Sequence, residues 1–244
     1  MEIDINCDLG EGVGNEALIL PLISSCNIAC GGHAGNTATM RKVIKLAQKN
    51  NVRIGAHPSY PDQENFGRLS LNISSKDLIK SIREQVKNFA ILCNSEKALF
   101  HHIKPHGALY NDITKDKKLA RTFLTAILPY KSYIKLYVPY NSAIAEEAKK
   151  QGFIVLYEVF LDRNYHQDLS LVPRKEPNAL IENPEEVLQH LLNMVKNKQV
   201  KTVENLLVSI VADTYCIHGD TSAAYKILTY LHSELPKLNI AIKK

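Results

Sequence analysis

Seven times along this chain a short apolar run breaks into Gly, Pro, Asn, Asp or His, and a segment with apolar positions three and four residues apart follows. The predicted strands are Ile3–Leu9, Ser24–Cys30, Val52–Ala56, Phe100–Ile103, Ile134–Val138, Phe153–Tyr157 and Thr214–Ile217. Helix starts follow from capping chemistry: Asn36, Ser74 or Ser75, Asn141 or Ser142, and Asn183 ahead of Pro184. One helix is expected from about Asp116 to Leu128, and 203–211 is ambiguous between helix and strand. Strand-then-helix repetition dictates a parallel α/β sheet, with every strand ending on the same side. Closure gives a single (β/α) barrel of seven strands; an open doubly wound sheet is the structural alternative. A length of 244 residues suits one such barrel, so residues 1–244 are expected to form one domain.

The first strand alternates: Asp4, Asn6 and Asp8 share one face while Ile3, Ile5, Cys7 and Leu9 share the other. In a barrel the polar set lines the interior, with Asp8 nearest the mouth. Gly10-Glu11-Gly12-Val13-Gly14 follows, but neither its spacing nor any other stretch meets G-x-G-x-x-G or GxxxxGK[ST]. These glycines are expected to form a turn with unusual backbone angles.

Composition excludes several classes. The net charge is +5, yet the Lys residues are scattered and no basic run with interleaved aromatics exists, so nucleic acid is not an expected partner. Five cysteines, an odd number lying mostly in apolar runs, read as buried reduced thiols, which suits the cytoplasm. Cys26-x-x-x-Cys30 has no second pair to complete a structural zinc site. The acidic N-terminus lacks a signal-peptide pattern and no apolar run reaches membrane-spanning length, so a soluble protein with no membrane partner is expected.

Chemistry gathers after the strands. Asp8, Glu11, Asn27, His33, His57, Lys104, His106, Tyr110, Glu158, Asp162, Arg163, His218 and Asp220 all fall within a few residues of a predicted strand end, where ligands bind in parallel α/β folds. His101 is assigned to packing or the outer surface, and His190 and His232 to solvated helix faces. Asp8, His33, His57 and His218 offer a ligand set for a divalent ion that activates water, although no HExxH pairing supports it. A G-x-S-x-G nucleophile is absent. Acid and base work by Asp8, Glu11 and His106, with Lys104 or an Arg holding an anion, asks for nothing the chain lacks.

Eight ordered motifs resemble the LamB/YcsF family: Asp4–Glu11, Asn27–Gly35, Gly55–Asp62, Phe66-Gly67-Arg68, Lys104–Asn111, Glu158–Arg163, Ser170–Arg174 and Cys216–Asp220. The resemblance implies a seven-stranded glycoside hydrolase/deacetylase-like barrel. It also implies the ATP-dependent 5-oxoprolinase reaction, in which 5-oxo-L-proline opens to L-glutamate while ATP goes to ADP and phosphate, with two further subunits, B and C. ATP would be a co-substrate, with Mg as its companion metal; a homo-oligomer is also open. Implied roles are Asp8 or Glu11 as base, Lys104 and His106 at the developing oxyanion or phosphate, and Arg68, Arg163 or Arg174 on the substrate carboxylate. Asn27, His33, His57, Tyr110, Glu158, His218 and Asp220 complete the implied substrate site. The chain departs from the family's pattern at Gly32 (usually aromatic), Asn36 (Asp), Leu69 (Arg), and near Leu169 and Asn178 (Gly). Two other readings stand beside this one: a metal-dependent amide or polysaccharide deacetylase of the same barrel type, and a non-catalytic substrate-binding subunit.

Overall fold

The apolar faces of the seven strands are covered by helices and their polar faces close on one another. In the computed structural model, which describes residues 1–244, strands β1 (Ile5–Leu9), β2 (Ser25–Ala29), β3 (Arg53–His57), β4 (Phe100–Ile103), β5 (Lys135–Pro139), β6 (Ile154–Phe160) and β7 (Thr214–His218) form a closed, wholly parallel barrel. β7 pairs with both β6 and β1 to complete the ring. Helices α1 (Thr37–Lys49), α2 (Ser75–Ser95), α3 (Gly107–Lys115), α4 (Lys117–Ile127), α5 (Ala143–Lys150), α6 (Pro184–Leu192) and α7 (Ala224–Glu234) surround it. Outside the barrel, Glu2–Ile3 pairs with Ala241–Ile242 and ties the two ends of the chain together. No helix is long and apolar enough to cross a membrane.

Capping follows the sequence. Asn36, Ser74, Ser142 and Asn183 each accept a backbone N–H of the helix they precede. The apolar stripes of α1 (Met40, Val43, Ile44, Ala47) and α2 (Leu78, Ile82, Val86, Phe89) are buried against the outward strand faces. All five cysteines are buried and free.

Three expectations are corrected. Residues 107–115 form a helix that the Pro105 and Gly107 breaker signals hid. Pro105 precedes the helix and Gly107 opens it instead of interrupting it, with Gly107 at φ +57° while Ala108 N–H reaches back to the Gly67 carbonyl. β6 runs to Phe160, so Glu158 lies on a strand and not beyond it. The ambiguous 203–211 stretch supplies half of an antiparallel hairpin, Gln199–Lys201 with Leu207–Ser209. The turn after β1 does use left-handed backbone at Gly10, Gly12 and Gly14.

The barrel interior is polar. Asp4 accepts from Ser25 (2.9 Å) and Thr214 (2.6 Å) and pairs with Arg53 (2.6 Å). Above it Asn6 donates to Thr214 (2.8 Å) and accepts from Asn27 (2.7 Å). Fully buried His102 donates to Asn27 Oδ1 (2.7 Å) and stacks on Tyr137 with centroids 4.0 Å apart. Its other face lies on Gly55, where any Cβ would overlap the imidazole.

Neither helix histidine sits on a solvated face. His232 Nε2 donates to the Leu22 carbonyl at 2.8 Å, and His190 stacks on Tyr165 with Nε2 buried and unpartnered. Burial lowers the His190 pKa from 6.5 to about 4. Between those values the unfolded chain binds a proton that the folded chain refuses, so stability falls as pH drops. Replacing His190 by Leu is expected to remove about 2 kcal/mol of the wild type's stability loss between pH 7 and pH 5, read by urea unfolding; parallel pH profiles would refute it. Gly55→Ala is expected to lower stability by about 1–3 kcal/mol because His102 cannot retreat from Tyr137. A melting temperature matching the wild type would show that the imidazole moves freely.

Candidate active site

The mouth of the barrel is floored by charges that cannot leave. Asp8, inside near the end of β1, accepts through Oδ1 from Asn27 Nδ2 and Lys104 Nζ, both at 2.8 Å, while Oδ2 lies 3.4 Å from His57 Nε2. Burial favours the neutral acid, but His57 and Lys104 outweigh it and hold the carboxyl well below the usual carboxylate range. Lys104, just past β4, is also fully buried, with Nζ 2.9 Å from Glu158 Oε1 and donating to Cys216 Sγ at 3.1 Å. Burial opposes its charge, yet Asp8, Cys216 and Glu158 together raise its pKa well above the ordinary lysine value. An ammonium between two carboxylates therefore forms the base of the site.

Beside it stands a group of imidazoles. His57 ends β3, His106 caps α3, and His33 follows the Gly31-Gly32 turn after β2. The His33 and His106 rings stack at 3.6 Å and 3°, and Gly67 packs against both. Glu11 Oε1 lies 2.9 Å from His33 Nε2 and 3.3 Å from His106 Nδ1. Burial, then the Asp8 charge, lifts the Glu11 pKa to about 7. Burial also pushes His33 down to about 3 and His106 well below the usual histidine value. Glu11, His33, His57 and His106 place four donor atoms within 4.8 Å of one another. Of the metal candidates from the sequence, His33 and His57 come together and Asp8 borders them. His218 lies outside that group of four, with its Nδ1 3.0 Å from both oxygens of Asp162.

A cavity of about 680 Å³ opens above, lined among others by Asp8, His57, Lys104, His106, Tyr110, Glu158 and Phe160. Its rim carries Arg68, Arg174, Lys115 and Lys175. Asp220 holds Arg68 in an ion pair and lies 3.8 Å from Arg174. The Tyr110 hydroxyl is buried with no hydrogen-bond partner, and both Glu158 oxygens lack one as well; Lys104 sits at ion-pair distance without hydrogen-bonding geometry. Burial, then the Glu158 charge, keeps the phenol protonated, raising its pKa well above 10.

Of the residues expected at the substrate, Asn27, His33 and Asp220 do not line the cavity, and Arg163 lines it with its guanidinium already engaged. Asn27 is completely buried under Asp8 and does not line the cavity. Arg163 reaches the cavity wall but donates to the Val172 and Ala179 carbonyls, which ties down the loop after β6. Burial, followed by repulsion from Arg174, lowers its pKa to about 10. Cys216, Phe160 and His102 are not among the expected site residues; the inward alternation of their strands was the signal for all three.

The departures also find places. At Gly32 a Cβ would strike Ser59 and Gln85, whose carboxamide is buried and pairs with both backbone groups of Ser59. Gln85 thus fills the space that an aromatic ring would need. Asn36 serves as a helix cap, Leu69 is an exposed part of the cavity rim, and Leu169 and Asn178 both adopt φ +64°, the region glycine takes most easily.

The LamB/YcsF family model matches residues 3–244. A Haemophilus influenzae (strain PittGG) protein named as the A subunit of 5-oxoprolinase is 42% identical over 244 residues, covering 99% of this chain and 98% of its own. A protein of the same name from Neisseria meningitidis serogroup A is 40% identical over 241 residues, with the same coverage. The crystal structure of a lactam utilization protein from Thermus thermophilus superimposes with a TM-score of 0.92 at 32% identity, covering 100% of this chain and 99% of that one. With a full-length family match, relatives above 40% identity and the same seven-stranded barrel, the chain belongs to the LamB/YcsF family.

Proposed function

We propose that the cavity binds the lactam ring of 5-oxo-L-proline and that the chain is the A component of an ATP-dependent 5-oxoprolinase, yielding L-glutamate, ADP and phosphate with subunits B and C. The observation that carries this reading is the Tyr110–Glu158 wall. A lactam holds its C=O and N–H side by side on one edge. The Tyr110 hydroxyl and the Glu158 carboxylate are buried side by side, with only Lys104 at ion-pair distance from Glu158 and at most a poorly aligned contact between the two, so a lactam edge that takes the hydroxyl on its C=O and gives its N–H to the carboxylate is the matching pair. The guanidinium groups of Arg68 and Arg174 at the rim suit the substrate carboxylate. The relatives' names and the lactam utilization structure point to the same substrate class.

The amide bond of the ring is resonance-stabilised, which is why coupling to ATP is needed; phosphorylation of the lactam oxygen makes the carbon electrophilic. Asp8 Oδ2 faces His57 at the cavity floor and is positioned to orient the attacking water. Its depressed pKa makes it a weak base, which suffices for an activated carbon but not for an unactivated amide. Lys104 offsets the negative charge that develops during attack, whereas His106, kept neutral by burial and donating Nε2–H to the Phe66 carbonyl, supplies no charge there.

The deciding assay follows glutamate and ADP formation from 5-oxoproline by this chain with and without candidate B and C subunits. Turnover that needs both the nucleotide and the partners supports the proposal. Nucleotide-independent amide hydrolysis or deacetylation would overturn it, and full turnover by an Asp8→Ala complex would reduce the chain to a substrate carrier. In the active assembly Tyr110→Phe is expected to raise KM for 5-oxoproline about tenfold, the worth of one lost hydrogen bond, with the fold intact. Lys104→Met is expected to abolish turnover and to lower stability by about 3–5 kcal/mol, because Asp8 and Glu158 then share a buried site unopposed. Melting and kinetics measured on the same preparation check both.

A further inference from the structure

The imidazole group turns several acceptors toward one point. His57 Nδ1 lies 2.8 Å from the Lys104 carbonyl oxygen, and His106 Nε2 lies 3.0 Å from that of Phe66. A carbonyl only accepts, so each of these nitrogens carries the ring proton. In a neutral ring the opposite nitrogen is then a bare lone pair. Those two lone pairs, His57 Nε2 and His106 Nδ1, face each other at 3.0 Å. At that distance the two nitrogens need an electrophile between them, either a proton on a charged His57, which also faces Asp8, or a metal cation in its place. The Glu11 carboxylate adds a third acceptor, 3.3 Å from His106 Nδ1 and 3.8 Å from His57 Nε2; His33 Nε2, 2.9 Å from it, donates to it while Nδ1 is buried without a partner, so ligation through Nε2 moves the His33 proton to Nδ1.

We propose that Glu11, His33, His57 and His106 bind one divalent transition-metal ion at the barrel mouth. The donor set is three imidazoles and a carboxylate, the borderline ligands that select zinc and its neighbours over magnesium. Donor atoms around an ion at roughly 2.0–2.2 Å stand about 3–3.5 Å apart; three of the pairs here span 2.9, 3.0 and 3.3 Å, Glu11 to His57 spans 3.8 Å, and all four atoms lie within 4.8 Å, so the group closes slightly around the ion. Backbone carbonyls behind His57 and His106 hold the rings in the ligating tautomer, as the groups behind metal-bound histidines generally do. The stacked His33 and His106 rings and the close seat of Gly67 leave them little freedom to turn away. Asp8 Oδ2, 3.4 Å from His57 Nε2, lies next to the ion and links it to the cavity floor. This assignment is independent of the lactam reading, since it follows from the tautomers and names no substrate.

The test uses the full chain stripped by chelator and dialysed. Calorimetric titration with Zn²⁺ and Co²⁺ is expected to give one ion per chain, Co²⁺ is expected to show visible ligand-field absorption, and melting is expected to rise with ion concentration. His57→Gln and His106→Gln are each expected to weaken binding about 100-fold or more, beyond the 10–100-fold usual for loss of a group behind a ligand. His166→Gln, which alters only an exposed histidine paired with Glu204, is expected to bind as the wild type does. Nitrogen-15 NMR of the stripped protein keeps the proposal falsifiable should either variant fold poorly. His57 Nε2 and His106 Nδ1 are expected to be unprotonated and to shift when Zn²⁺ is added. A proton found on either nitrogen with no shift on adding the ion, or equal affinity in wild type and both variants, would overturn the site.

Discussion

Asp8 is held in place by Asn27, which cannot turn. The Asn27 carboxamide gives its two N–H bonds to Asn6 and Asp8 and receives His102 on its oxygen, so the position of every proton is set. The order propagates outward from there. Lys135 is a pure donor and lies 2.8 Å from His101 Nε2; His101 Nδ1–H therefore donates to His102 Nδ1, and His102 Nε2–H to Asn27. Burial, the largest influence on both rings, keeps them neutral, with His101 at about 4. A one-way chain of hydrogen bonds thus runs from the N-terminal end of the barrel to the carboxylate at its mouth.

Such an interior differs from the branched apolar layers that usually fill a β/α barrel. Here the apolar side chains of the strands face the helices, and the axis is occupied by Asp4, Asn6, Asn27, His102 and Thr214. Buried polar groups of this kind stabilise little on balance, yet each is expensive to leave unpaired, so together they admit one arrangement. The division of labour follows. Fixed parts of the site, Asp8, Lys104, Glu158 and His57, stand on or just after strands over this column. The adjustable parts, Arg68 and Arg174, stand on loops at the rim.

Much of this was readable from residues alone. The alternation in Ile3–Leu9 placed Asp4, Asn6 and Asp8 on the inner face, and the seven strand-then-helix units gave the closed parallel ring. What could not be read were pairings decided across the barrel. Nothing local tells His218 to pair with Asp162 while His106 joins His33, and nothing local marks Asn27 as support for Asp8. Arg163 looked like an anion binder because its loop partners, Val172 and Ala179, lie 9 and 16 residues on. Its guanidinium is occupied by backbone carbonyls, a use that residue type does not advertise. His190 failed for the opposite reason: the face of α6 that seemed open is covered by Tyr165, which arrives from a loop.

The polar axis has a consequence for how the chain is made. Asn6 and Asp4 find their partner Thr214 only 208 and 210 residues later, and the end strands meet to close the ring. While the ribosome is still delivering the middle of the barrel, the inner face of β1 has no complement and keeps its water. A half-built barrel of apolar lining could collapse on itself and persist; a half-built barrel lined with unpaired amides and carboxyls gains nothing by drying. Assembly is therefore deferred to the arrival of the last strand, at the kinetic penalty that long-range closure brings, and partial barrels have no stable form in which to accumulate.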